Sequence, residues 1–134
     1  MSRIPERVVA ELVKEASVKM NDPTYAQTMV GNWVQAQPAA TKYMTAHVKE
    51  LGGAEAVVNM VFHAQLIASC FLRHTGRSIR KMTFAELDAV ADGDRDASLK
   101  KRQPALFDYL EANVESAEMR RILTLIALGM DYVA

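Results

Sequence analysis

The chain has 134 residues, half of them hydrophobic, and its 16 basic and 16 acidic residues give a formal net charge of zero. This composition indicates one domain with a sizeable core, and it argues against a disordered tail, a histone-like DNA-binding protein and a polybasic membrane module. Cys70 is the only cysteine, so no internal disulfide is expected; with no apolar signal-peptide core near residue 1, we expect a cytoplasmic protein.

Helical periodicity dominates the first half of the chain. Apolar residues recur at helical spacing after Pro5, and Asn21-Asp22-Pro23 indicates a stop followed by a new start. Pro38 is expected to break or kink the second helix, and a later glycine pair ends its continuation. A long central helix then runs from about Ala54 to His74, with Gly76 as its stop. Its uncharged stretch is too short and too polar to span a membrane, so we expect a buried core helix.

The second half continues the helical pattern. Thr83-Phe84-Ala85-Glu86 fits a capping box, a further helix meets Pro104, and the last helix begins near Ser116. No segment alternates apolar and polar residues in the way a strand does. The sequence therefore predicts an all-α bundle of six to seven helices that forms a single domain over residues 1–134.

An internal repeat divides the chain. Residues 37–48 and 103–114 are identical at six of twelve positions, where both have Gln, Pro, Ala, Tyr, Ala and Val. The offset is close to half the chain length, and an apolar helix follows each block. We therefore expect a tandem duplication, with halves of approximately 1–67 and 68–134 packed around a pseudo-two-fold axis.

Each copy of the repeat contributes a glutamine and a tyrosine: Gln37, Tyr43, Gln103 and Tyr109. A proline inside a helix has no N–H for the carbonyl four residues back, which leaves that carbonyl free. The freed carbonyls, the amides and the hydroxyls are expected to line a small polar cleft near the axis. The simpler interpretation is that each proline starts or kinks a helix and that each tyrosine packs with its hydroxyl at the protein surface.

The central helix offers a candidate metal site. Cys70 and His74 are four residues apart and could reach one ion, whereas His63 lies two helical turns from Cys70. The alternative is that none of the three binds a metal: His63 is a hydrogen-bonded core residue, Cys70 a small buried thiol and His74 a cation at the helix end. The chain has no His-Glu-x-x-His and no Gly-x-Ser-x-Gly motif, and we predict neither a cofactor nor a catalytic nucleophile.

A basic cluster surrounds the predicted stop at Gly76 and consists of Arg73, Arg77, Arg80 and Lys81. Such a cluster could bind an anion or a phosphate. The alternative is a set of solvated side chains neutralised by the acidic residues that follow. Because no helix-turn-helix or RNA-binding motif accompanies the cluster, nucleic acid is not the expected partner.

The last helix has apolar residues around more than one face, which is more than a single core contact needs. An edge helix of this kind could form a homodimer or bind a helix of a partner protein. The function expected from the sequence is thus a non-catalytic protein-interaction or scaffolding module that acts as an oligomer. The alternative is a small-ligand or metal-binding bundle, with or without enzyme activity.

Overall fold

The computed structural model of the protein describes residues 3–46 and 48–134, so Met1, Ser2 and His47, one position of the first repeat block, lie outside the described residues. The described residues contain helices and no strand, which confirms the all-α class. The helices number nine in these residues: α1 (Glu6–Lys19), α2 (Pro23–Ala36), α3 (Pro38–Thr45), α4 (Val48–Leu51), α5 (Ala54–Thr75), α6 (Phe84–Ala91), α7 (Arg95–Arg102), α8 (Pro104–Asn113) and α9 (Ala117–Val133).

The helix count exceeds the expected six to seven partly because prolines separate helices instead of kinking them. Pro38 and Pro104 each occupy the first position of a new helix. The residue before a proline is pushed out of the helical region by the pyrrolidine ring. Gln37 (φ −135°, ψ 67°) and Gln103 (φ −139°, ψ 73°) are accordingly non-helical. The single turn α4 adds another short element between α3 and α5.

The predicted helix boundaries with local signals are confirmed. The Asp22 carboxylate accepts a hydrogen bond from the Thr24 N–H at 3.0 Å and caps α2. Thr83 and Glu86 form the reciprocal capping box of α6. Gly76, at φ +77°, ends α5 in the left-handed conformation that favours glycine.

Two helices, α5 and α9, lie at the centre of the bundle and contact each other. α5 also packs against α1 and α2, and α9 packs against α6, α7 and α8. The buried apolar residues form one cluster, whose fully buried members on the two central helices include Met60, Ile67, Leu123 and Ile126. Burial of this apolar surface is the main favourable contribution to the stability of the fold.

The expectation that α9 is an edge helix with an exposed apolar face is wrong. Its large apolar residues up to Met130 are all buried, because five other helices pack against α9. Tyr132, near the end of the helix, is 56% exposed. The apolar residues on more than one face of α9 therefore serve the core, and α9 supplies no broad surface for a partner.

Gly129 permits a close approach between α9 and the region of α6. A Cβ atom at this position would lie 2.8 Å from Leu87 Cδ2 and 2.9 Å from Met82 Sδ. Both neighbours are buried. The absence of a side chain at residue 129 is thus a packing requirement.

α5 is also the one helix in the described part of the chain that is long and apolar enough to cross a membrane, with a mean hydropathy of 1.4 over its most apolar window. Eight of its 22 residues are buried inside the bundle. This burial is the pattern of a core helix, and the structure is compatible with a soluble protein.

Candidate functional site

Gln37 is buried and holds the backbone of a distant segment with both ends of its side-chain amide. Its Nε2 donates to the carbonyl of Arg80 at 2.9 Å, and its Oε1 accepts from the N–H of Met82 at 2.9 Å. These two bonds fix part of the non-helical segment 76–83 between α5 and α6. Gln37 therefore positions a loop that has no regular secondary structure of its own.

Gln103 is also buried and likewise uses both ends of its side-chain amide to hold distant residues. Its Oε1 accepts from the N–H of Ile4 at 2.9 Å, and its Nε2 donates to Asp131 Oδ1 at 2.8 Å. Asp131 is only 8% exposed, and its second carboxylate oxygen lies 2.6 Å from Arg102 Nε. The buried carboxylate is thus paired, as a buried charge must be to avoid a large desolvation cost.

The two tyrosines of the repeat are engaged in different places. The Tyr43 hydroxyl donates to Asp88 near the surface, whereas the Tyr109 hydroxyl and His63 Nδ1 share a buried hydrogen bond of 2.6 Å. The four candidate ligand-binding residues of the repeat are therefore not brought together in one polar cleft. Of the four, Gln37 lines the cleft described below.

The three candidate metal ligands also do not form one cluster. His63 faces Tyr109, and Cys70 is fully buried. Burial raises the pKa of the Cys70 thiol to about 12, which disfavours the thiolate that binds metal. Within residues 3–46 and 48–134, no three His, Cys, Asp or Glu side chains lie close enough to hold one ion. The structure therefore does not join His63 to the pair Cys70 and His74.

Burial lowers the pKa of His63 below its ordinary value near 6.5. Below about pH 6.5 an unfolded chain binds a proton at His63, while the folded chain stays neutral until its lower pKa is reached. The free energy of unfolding should therefore decrease as the pH falls through this window and level off below the folded pKa. Urea unfolding at a series of pH values checks this, and His63→Gln should lose this part of the slope. An equal slope in both proteins would contradict the assignment.

The basic cluster divides into paired and unpaired residues. Arg73 on α5 lies 2.6 Å from Glu15 of α1, and Arg80 pairs with Glu86. Hydrogen bonds from the Arg80 guanidinium are the main reason why the pKa of Glu86 falls to about 2. The other two members form no ion pair in the described part of the chain: Arg77 and Lys81. The four residues therefore do not act as one anion site.

A cleft that the sequence did not predict lies between α2, α5 and the segment 76–83. Its volume is about 210 Å³. None of its lining side chains is ionisable: Asn32, Trp33, Ala36, Gln37, Gln65, Ala68, Ser69, Leu72, Ser78 and Ile79. We call this feature the Trp33 cleft. It combines amide and hydroxyl groups with apolar walls, a composition suited to an uncharged ligand group.

Trp33 is the distinctive residue of this cleft. It is 2% exposed, and its indole Nε1–H is buried without an acceptor in the described residues. A buried donor left in this state costs about 1–3 kcal/mol and is rare in folded proteins. Any acceptor that came within hydrogen-bond distance of Nε1 would satisfy the donor. The sequence places Trp33 on an apolar helix face, but it carries no signal that the indole N–H lacks a partner.

A second cleft adjoins the first. It has a volume of about 280 Å³, shares Ser78 and Ile79 with the Trp33 cleft, and is also lined by Arg77 and Arg80. We call it the Arg77 cleft. The two residues Ser78 and Ile79 thus separate a neutral cleft from one with basic side chains.

Comparisons of the chain with protein-family models, curated proteins and solved structures find no significant match.

Proposed function

We propose that the protein is a non-catalytic protein-interaction module that takes an uncharged side chain of a partner protein in the Trp33 cleft. The observation that carries this proposal is Trp33, which lines an open cleft and whose buried indole N–H has no acceptor among the described residues. A partner that supplies an acceptor recovers the cost of the unmade hydrogen bond. The Trp33 N–H gains its hydrogen bond only when the partner binds, as is expected of a recognition site.

The size of the cleft favours a side chain of a partner over a free small molecule. Pockets for drug-sized ligands have volumes of about 300–1,000 Å³ and enclose most of the ligand. The Trp33 cleft is smaller, at about 210 Å³, and Leu72 at its rim is 45% exposed. A protein partner could insert one side chain and also cover the apolar rim. Tryptophan is among the residues that contribute most to protein interfaces.

The cleft lacks the groups that acid–base chemistry needs. Its lining has no carboxylate, histidine, lysine or cysteine. The Ser69 hydroxyl donates to the carbonyl of Gln65 at 2.9 Å and has no neighbouring base in the lining. A general base within hydrogen-bond reach is the usual means of activating a serine. These features support binding without catalysis.

We also infer that the scaffold arose by tandem duplication. Gln37 and Gln103 have nearly equal backbone angles, and each precedes a proline-led helix. Each also accepts from the N–H of a residue two positions before a helix, Met82 before α6 and Ile4 before α1. The glutamine of each half holds a residue of the other half, which is the reciprocity that a pseudo-two-fold axis requires.

The proposed site of action is the cytoplasm, because the chain has a single cysteine, and it is a buried thiol. The partner is a different protein in this proposal. A second copy of the chain, which would make the module a homo-oligomer, is an outcome that the experiment below distinguishes.

The replacement Leu72→Ser tests the proposal, with Val18→Ser as its matched control. Val18 is a 70% exposed aliphatic residue on α1 and lies outside the cleft lining. Both variants should keep the stability of the parent protein, since exposed positions usually change it by less than about 0.5 kcal/mol. Leu72→Ser should weaken partner binding by at least about fivefold, because an apolar rim contact is lost. Val18→Ser should bind as the parent does.

The first measurement is the amount of partner protein that the immobilised parent and each immobilised variant capture. The purified partner is then titrated into the protein, and binding is followed by the fluorescence of Trp33, which is the only tryptophan. Trp33→Phe, which removes the indole N–H, should also weaken capture. Equal capture by all variants would overturn the proposal. A dimer that Leu72→Ser dissociates would make the partner a second copy. A bound small molecule or metal in native mass spectra would favour the alternative function.

A further inference from the structure

We propose that the partner segment carries an acidic residue beside its uncharged anchor, and that Arg77 binds this residue. The inference rests on the proposed function, since it identifies the partner of the Trp33 cleft by its charge. The observation behind it is the position of Arg77. This residue lies directly before Ser78 and Ile79, the two residues that both clefts share.

Arg77 is exposed and forms no ion pair within the described part of the chain. Its guanidinium is therefore available for a partner. The two basic residues on either side differ in this respect, because Arg73 is held by Glu15 and Arg80 by Glu86. Arg77 is thus a cation beside the Trp33 cleft that forms no ion pair with any described residue.

The Trp33 cleft and the Arg77 cleft lie side by side, because Ser78 and Ile79 line both. An extended peptide advances about 3.3 Å per residue, so an anchor in one cleft places a residue only a few positions away in the other. An arginine guanidinium matches the two oxygens of a carboxylate with parallel hydrogen bonds. One unpaired arginine suits a carboxylate better than a phosphate group, which proteins usually bind with several donors.

The charge chemistry also defines what the site excludes. The Trp33 cleft has no charged lining residue, so a charged anchor would lose its hydration without gaining a partner. A basic residue next to the anchor would meet Arg77 with like charge. The expected partner segment is therefore an acidic peptide with one uncharged anchor that carries a hydrogen-bond acceptor.

Selection from a displayed library of random peptides tests the inference, and the variants Arg77→Glu and Lys81→Glu provide a matched pair. Both substitutions change the net charge of the protein equally. Lys81 lies in the same segment but lines neither cleft. The selected peptides should carry Asp or Glu within about three positions of an uncharged anchor. They should quench or shift the emission of Trp33 when titrated into the protein.

Arg77→Glu should weaken binding of these peptides by about fivefold or more, and Lys81→Glu by less than about twofold, because only the former replaces a direct contact with like charge. Added salt should weaken binding to the parent protein more than to Arg77→Glu. Selected peptides without acidic residues, or equal losses in the two variants, would overturn the inference and leave the proposed function standing. If no peptide is selected, or if the selected peptides bind Leu72→Ser and Trp33→Phe normally, the proposed function fails and the inference fails with it.

Discussion

Gln103→Met is expected to lower the free energy of unfolding by about 3 kcal/mol, since it leaves two buried polar groups without their bonds to Gln103. These groups are the N–H of Ile4 and the Oδ1 atom of Asp131. Methionine keeps the length of the side chain, so the change removes hydrogen bonds and opens little cavity. Asp131 retains the guanidinium of Arg102 at 2.6 Å, which limits the loss.

The matched variant for this prediction is Gln37→Met. It removes the bonds to the Arg80 carbonyl and the Met82 N–H, neither of which is charged. The expected loss is smaller, about 1–2 kcal/mol, because hydrogen bonds to neutral groups contribute less than bonds to ions. Urea unfolding followed by circular dichroism measures both values. A Gln103→Met protein within about 0.5 kcal/mol of the parent would show that the hydrogen bonds of Gln103 do not stabilise the fold.

Gly129→Val is expected to destabilise the protein by about 3 kcal/mol or more, because the new side chain overlaps the core. Its Cβ alone would approach Leu87 Cδ2 to 2.8 Å and Met82 Sδ to 2.9 Å. Neither neighbour can swing into solvent, since both are buried. The γ-methyl groups of valine add further overlap, so α9 must shift away from α6.

Gly31→Ala is the control for this second prediction. Gly31 lies inside α2, and a Cβ atom there would meet nothing within 4 Å. Alanine is favoured over glycine in a helix by about 1 kcal/mol, so this variant should be slightly more stable than the parent. Thermal unfolding compares the two proteins. If Gly129→Val unfolds at the parent temperature, the approach between α9 and α6 is not tightly packed.

Local sequence signals predicted much of the fold. Asp22, Thr83 and Gly76 act on backbone groups within a few residues of themselves, so their roles can be read from the sequence. The position of α9 could not be read in this way. Apolar residues on several faces indicate either an exposed interface or burial among several helices, and only the tertiary arrangement distinguishes the two.

The candidate site was less predictable than the fold. The repeat drew attention to Gln37 and Gln103, but the groups that they hold are mainly backbone atoms, which look the same at every position of a sequence. The Trp33 cleft brings residues of α2 together with residues of α5 and the segment 76–83. Whether an indole N–H has an acceptor depends on all of these neighbours, and no short pattern around Trp33 encodes it.

The hydrogen bond between the Ile4 N–H and Gln103 joins residues 99 positions apart. Gln103 is in turn bonded to Asp131, near the end of the last helix. During synthesis Ile4 therefore emerges long before Gln103 and Asp131 have been made. Helices such as α1 can form early from local contacts. The segment before α1 cannot reach its final position until the residues up to 131 have been synthesised. Ile4 is thus made before α1, yet it is among the last of these residues to reach its final position.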